Sequence, residues 1–387
     1  MKIPFWAAAD LVTQTASPGG FQVSLEDIVP GAGTLVSGSL SRYSADGTPF
    51  EKGDVLFGKL RPYLAKFWLA DREGVAGGDI HVYRPRKGVD PRYLAYIVGS
   101  RNFVRFAVAA SKGVKMPRVE WMDIRQYGVN SYDERTQRRI ADYLDRETGE
   151  IDAMLAKLDE LTRSLKQRSG IVVANELKSH YSHGTIPLAF SSGADNFFDG
   201  DWVESKDQDP DGDIRLLQLA DIGDGTFLDK SNRRINQEAF ERLRCREVEA
   251  GDILIARMPH PLGRACILPT GLGRTITVVD VAVLRPDPSR IIPKYLVYVL
   301  NSISFRARLD SLQSGSTRQR ISRSRLGQQR IPMPPVALQR ATVSYLDEVT
   351  GRINAMLAKI DELKALLVER RSALITDVVT GRKKIPS

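Results

Sequence analysis

Residues Tyr143 to Leu161 read YLDRETGEIDAMLAKLDEL, and residues Tyr345 to Leu363 read YLDEVTGRINAMLAKIDEL. Fourteen of the nineteen positions are identical, at a constant offset of 202 residues. Self-similarity of this length marks a tandem duplication. Each copy closes a mixed, strand-rich segment and opens a long amphipathic helix, so the chain reads as two globular parts, each followed by a helical arm.

The 387 residues divide accordingly into a first globular part (1–132), a central arm (133–182), a second globular part (183–335) and a C-terminal arm (336–387). In the first part, the β-rich runs VLFGKL (55–60) and GDIHVYRP (78–85) lie between glycine and proline punctuation. A helical stretch follows at Pro91 to Val108, with Tyr93, Leu94, Ile97, Phe103 and Phe106 facing inward. Strands are expected again around 214–219, 252–257 and 278–284, with a second helical stretch at Pro293 to Leu309. The mixture is α+β rather than an alternating parallel fold. Fainter matches extend the repeat upstream: Gly53-Asp54 with Gly251-Asp252, Arg84-Pro85 with Arg285-Pro286, and Tyr93-Leu94 with Tyr295-Leu296.

In the central arm a short helix from Asp133 to about Glu147 is expected to be interrupted or re-capped at Thr148-Gly149. Beyond it Ile151, Leu155, Leu158, Thr162, Leu165, Ser169 and Val172 alternate in steps of four and three, a coiled-coil-like seam. The second arm carries Ile353, Leu357, Ile360, Leu367 and Leu374 on the same face. Met154 and Met356 occupy equivalent places beside these seams.

Composition narrows the function. The formal charge of +9 and pI near 9.5 favour a polyanionic partner over a merely solvated basic surface. Two cysteines, Cys245 and Cys266, suggest neither a disulfide framework nor a zinc site and fit a cytoplasmic protein. The longest apolar runs are too short to cross a bilayer. No phosphate-binding loop or nucleophile-turn motif is present, and the four histidines form no metal-binding pattern. Asp54 and Asp252 each follow glycine and precede a strand, where turn capping is favoured over metal binding.

Basic loops occur in both halves. No acidic residue lies between Ser311 and Leu346, a window holding Arg318, Arg320 and Arg323 among small hydroxyl residues suited to phosphate oxygens. The first-half counterpart is SKGVKMPR (111–118), with Lys112, Lys115 and Arg118. Upstream, FGKLRPYLAKFW (57–68) supplies Lys59, Arg61 and Lys66, and ARMPHPLGR (256–264) supplies Arg257, His260 and Arg264. Arginine pairs bidentately with guanine, whereas lysine mostly meets phosphate as a point charge. Tyr63, Phe67 and Trp68 are read as core rather than as base-stacking groups.

Assembled, these features resemble the specificity (S) subunit of a type I restriction-modification system. The resemblance rests on the two arms, on IPMPPVALQR leading into the second, and on the terminal ERRSALITDVVTGRKKI. KLRPYLAK, GVKMPR and DGDWVESKD also match. It implies two target-recognition domains, each reading half of a bipartite DNA sequence through the major groove. It also implies that the long helices pack as an antiparallel coiled-coil spacer and help bind two methyltransferase (M) subunits, with restriction (R) subunits completing the nuclease. S-adenosylmethionine, ATP and Mg then belong to the partners, and this chain is not itself an enzyme. The other readings are a coiled-coil assembly protein without DNA readout, and a DNA methyltransferase or nuclease with unrecognised motifs.

One stretch departs from the repeat. At an offset of 202, DGDWVES (199–205) has its counterpart at or before Met1, which raises the expectation of a late-starting first domain without an opening strand.

Arms of roughly 30 residues are about 45 Å long and match on the order of 13 base pairs of duplex. An insertion in an arm is therefore expected to change the length of the unread spacer between half-sites. A methylation-site survey of the insertion variant checks this, and an unaltered spacer contradicts it.

Overall fold

A computed structural model of the chain describes residues 1–38, 41–259, 261–312 and 320–386. It divides into one unit formed by Met1–Glu160 with Ile360–Ser387 and another formed by Leu161–Lys359.

In the first unit an antiparallel sheet runs in the order Ala9–Leu11, Ile80–Pro85, Val55–Gly58, Phe67–Leu69. The second unit repeats it as Ser192–Asp199, Val281–Pro286, Ile253–Ala256, Ala265–Ile267. The central strands, VLFG and ILIA, are buried along their whole length, which accounts for their continuous apolar sequence. A smaller sheet flanks each. Gln22–Val23 runs parallel to Gly74–Ala76, and Ile214–Leu217 runs parallel to Thr275–Thr277. The third strand is placed differently: Thr48–Phe50 adds beside Gly74–Ala76, whereas Arg234–Ile235 adds beside Ile214–Leu217.

Each unit also has a two-stranded ribbon, Lys2–Pro4 with Gly128–Asn130 and Thr185–Pro187 with Arg330–Pro332. The first unit thus possesses the opening strand that a constant offset had made doubtful. The offset is not constant. Lys2 corresponds to Thr185, 183 positions on, and Val55 to Ile253, 198 positions on, before 202 is reached at the helices. Extra residues accumulate in the second unit between its opening ribbon and its central strand.

The stretch Pro91 to Val108 is two helices, Pro91–Val98 and Arg101–Ala110, because the Ser100 hydroxyl caps the second by accepting the Phe103 amide at 3.3 Å. Ser302 does the same for Phe305, dividing Pro293–Asn301 from Ile303–Ser311. Tyr93, Leu94, Ile97 and Phe103 face inward as expected, but Phe106 is exposed on the outer turn. These helices lie between sheet and arm. In the first unit Val55, Phe57, Tyr83, Leu94 and Phe103 share a core with Ile140, Leu144, Leu374, Ile375 and Val378. In the second, Ile253, Leu284, Leu296 and Phe305 share one with Val173, Leu177 and Leu346.

The long helices are Glu134–Ser179 and Val336–Val379, 46 and 44 residues, or about 69 and 66 Å. The expected break at Thr148-Gly149 is absent. Thr148 Oγ1 instead donates to the Leu144 carbonyl at 2.7 Å, and Thr350 Oγ1 to that of Leu346 at 2.6 Å, so each hydroxyl serves its own helix. The helices pack antiparallel: Asp152 pairs with Arg371 and Asp159 with Lys364, one number rising seven as the other falls seven. Ile151, Ile353, Ile360 and Leu367 are buried along the seam, with Leu155, Leu158, Leu165 and Leu357 half-buried. Met154 and Met356 stand outside it, each about half exposed, at 51% and 50%.

Matched polar clamps complete both scaffolds. Buried Asp54 accepts the Glu51 amide at 2.8 Å and a bidentate bond from Arg84. Asp252 does the same with the Glu249 amide and Arg285. Gln137 accepts the Asp90 amide and donates to the Gly88 and Tyr132 carbonyls, as Gln339 does with Ile292, Arg290 and Pro334. Among the described residues no helix is long and apolar enough to cross a membrane.

Two of the buried polar groups set measurable stability terms. Asp252→Ala removes the bidentate partner of Arg285, which keeps Glu249, and leaves the Glu249 amide without its acceptor; it is expected to cost about 2 kcal/mol in denaturant unfolding of the second unit. His81 is buried beside Lys59 and Arg118, and burial first, then these two cations, holds its imidazole down at about 3. The depressed value means the unfolded chain takes up the proton first, so the first unit keeps this stability above pH 6.5 and loses it as pH falls toward 3, at no more than about 1.4 kcal/mol per pH unit. His81→Gln should flatten that part of the pH–stability curve.

Candidate nucleic-acid interface

The same backbone frame carries the basic residues of both units. After Val55–Gly58 the chain reaches Lys59, whose amide donates to the Asp79 carbonyl at 2.9 Å and whose carbonyl accepts the Val119 amide at 3.0 Å. After Ile253–Ala256 it reaches Arg257, bonded in the same way to Asp280 and Ile321, at 2.9 and 3.1 Å. Arg118 pairs with Asp79, and Arg320 Nε lies 3.4 Å from Asp280. Each frame therefore pairs one arginine with one carboxylate and joins that acidic residue through the backbone to a second basic residue.

In the first unit, paired backbone bonds between Lys112 and Arg118, 2.8 and 2.9 Å, close a loop in which Gly113 takes φ +98°. Its tip presents Val114, Lys115 and Met116 to solvent. Arg61 is seated against this loop by its amide, 2.7 Å from the Pro117 carbonyl, and its side chain is exposed. Lys112 is held 3.2 Å from Asp123. Lys66 donates to the Leu25 carbonyl at 2.7 Å, which makes it a brace between two segments of the unit. Phe67 and Trp68 are core, as the sequence implies, while Tyr63 is exposed near Arg61.

In the second unit the structure separates arginines that the sequence grouped together. Arg257 is 4% exposed, fixed by Asp199 at 3.1 Å and by the Val279 carbonyl, and burial pulls its pKa down despite Asp199. Arg264 donates Nε and Nη2 to the Ile222 and Leu219 carbonyls at 2.7 and 2.8 Å. Arg257 is thus an interior strut and not the surface cation that the sequence suggested, and half-buried Arg264 is largely committed to carbonyls. Arg320 and Arg323 reach the surface. Arg323 lies 3.3 Å from Asp199 and donates to the Phe197 carbonyl at 2.6 Å. His260 and Arg318 lie outside the described residues.

Beside Asp280 a groove of about 560 Å³ opens, lined by Trp202, Gln208, Gln218, Arg233, Asp201 and Glu204. Nothing in the sequence pattern had pointed to a groove here. The one available signal was a lone tryptophan among charged residues in DGDWVESKD.

A family model described as type I restriction modification DNA specificity domain matches residues 198–365. A curated relative, the type I restriction enzyme StySPI specificity subunit of Salmonella potsdam, is 26% identical over 98 residues, 25% of this chain. The matched part spans only 21% of that relative's length. Among solved structures, a chain from work on complex assembly and conformational transition of the type I R-M system matches with a TM-score of 0.66 at 18% identity, covering 98% of this chain and 97% of that one. The HsdS subunit of Thermoanaerobacter tengcongensis matches with a TM-score of 0.51 at 18% identity, covering 99% and 97%. These two likenesses concern the fold, and they agree with the duplicated α+β architecture with antiparallel long helices. The specificity-domain match falls on residues 198–365, so the similarity to type I restriction-modification specificity subunits rests on that stretch and on the shared fold.

Proposed function

We propose that this chain is the non-catalytic DNA-reading subunit of a type I restriction-modification complex. Each unit contacts one half of a bipartite duplex target, and partner subunits methylate or cut. The observation that carries the reading is the repeated basic frame, present in both units and, in the second, inside the stretch matched by the specificity-domain model. In the first unit the contacting set is Lys59, Arg61, Lys112, Lys115 and Arg118; in the second it is Arg320 and Arg323. Two frames on one chain suit two half-sites.

The partners are double-stranded DNA, two methyltransferase subunits and restriction subunits, in the cytoplasm. Met154 and Met356, equivalent in the repeat and both outside the seam, are the apolar points offered to equivalent methyltransferase copies. S-adenosylmethionine, ATP and Mg reside on those partners.

Equilibrium DNA binding by the complex reconstituted with methyltransferase subunits tests this. Arg61→Ala with Lys115→Ala should weaken binding and make the plot of log affinity against log salt shallower by about 0.9 for each phosphate no longer neutralised. Lys66→Ala, which removes a brace, should leave that slope unchanged. Unaltered affinity and slope in the double variant would favour an assembly protein without DNA readout. Binding of S-adenosylmethionine by the isolated chain would favour a methyltransferase.

A further inference from the structure

We propose that the groove beside Trp202 in the second unit is a base-reading subsite, taking the major-groove edges of one or two base pairs while its rim holds phosphates. The proposal rests on the DNA-reading function above and assigns a specificity-determining role to residues outside the basic loops.

Charge placement carries the argument. Three acidic residues, Asp201, Glu204 and Asp280, are among those lining the groove, with Arg233 the one basic residue among them. Such a floor repels phosphate. It accepts hydrogen bonds from exocyclic base amines, as Asp and Glu do from cytosine N4. The cations stand at its edge. Arg320 Nη2 donates to the carbonyl of groove-lining Val279 at 3.1 Å, and Arg320 Nε lies 3.4 Å from Asp280. Arg323 is joined to the same network through Asp199, which also binds Arg257. A duplex laid on this face meets arginines with its backbone and the acidic, amide-bearing floor with its base edges.

The amides are set for reading. The Gln208 carbonyl oxygen is held by Arg233 Nη1 at 2.9 Å, and the Gln218 side-chain oxygen accepts the Asp221 amide in a capping box. Both glutamines are therefore oriented through their oxygens, and their NH₂ groups remain available as donors to base acceptors. Trp202 is 66% exposed, with its indole Nε1 donating to Glu204 at 3.3 Å. A large ring held at that exposure offers an apolar face to a thymine methyl.

Asp201 adds a titratable group. Burial raises its carboxyl to about 6, against the lowering effect of the Arg246 amide at 3.0 Å. Glu204 and Asp280, the other acidic residues lining the groove, are paired with Lys206 and Arg320.

The test uses the full chain reconstituted with its methyltransferase subunits and a pool of duplexes randomised at both half-sites, scored by methylation. Trp202→Ala and, separately, Gln208→Ala should relax discrimination about 5- to 100-fold at one or two adjacent positions of a single half-site. Trp202→Phe should retain most of it. The salt slope should stay that of the parent, since every cation that meets phosphate is still in place. Equal weakening on all sequences would overturn the subsite by making Trp202 a backbone contact. Unchanged base preference in both alanine variants would overturn it outright. Failure of the variants to assemble with methyltransferase subunits without DNA would make the groove a protein-docking site instead. If the parent complex shows no base preference, the DNA-reading function itself fails, and the subsite with it.

Discussion

Asp145 and Asp347, one on each long helix, fasten each globular part to its arm. Asp145 accepts the Tyr96 hydroxyl and Arg92 Nη1, both at 2.7 Å; Asp347 accepts the Tyr298 hydroxyl at 2.7 Å and Lys294 at 2.6 Å. Hydrogen bonds to an ionised group contribute about 1.5–3 kcal/mol each, and they are directional where core packing is not. They fix the rotation of the helix against the short helices, which pack on the sheet. The position of every basic loop depends on that chain of contacts. The constraint also explains half of the repeated sequence. In YLDRETG and YLDEVTG, the leucine is buried core, the aspartate is the anchor, and the threonine bonds its own helix within reach of the same tyrosine. Those identities serve the interior of each unit. The next identical run, AMLAK, is largely exposed and has no such role, so surface demands are left to account for it.

The two anchors are embedded in equivalent surroundings that differ in one ion pair across the facing helices. In the first unit Arg371 bridges Asp152 on the facing helix and the Gly31 and Ala32 carbonyls. In the second unit the equivalent positions are Ser169 and Asn354, neither charged. The cavity there is larger, about 540 against 330 Å³. One junction is closed by a guanidinium and the other left open, on the same scaffold.

What the sequence made legible follows from which forces are local. The helical seam shows in the sequence because one face must be apolar over many turns, and Ile151, Leu155, Leu158 and Leu165 fall on it. The pairings Gly53-Asp54 with Arg84 and Gly251-Asp252 with Arg285 were visible as matched positions, though not as ion pairs, because their partners are 30 and 33 residues apart. Thr148-Gly149 was misread because capping rules treat the hydroxyl as free, whereas the helix's own carbonyl claims it. The arginines were the hardest case. Arg257, Arg264, Arg320 and Arg323 are alike in composition and context, and only their burial in the folded unit distinguishes strut from surface cation, since even exposed Arg320 shares the Val279 carbonyl with buried Arg257.

The growth of the repeat offset from 183 to 198 locates where the units were made different. The extra residues fall between the opening ribbon and the central strand of the second unit, and Trp202, Gln208, Gln218 and Arg233 all lie in that interval. Insertions there leave the anchors and the backbone bonds of the basic frame intact and disturb the sheet only by a bulge in its edge strand, between Ser192 and Phe197. A scaffold fixed by clamps at its base can therefore take on a new surface at its edge without repacking its core. The acidic groove is such a surface. Its carboxylates lie beside arginines that remain in the repeated frame, so attraction for the backbone and selectivity for bases are carried by separate parts of the chain.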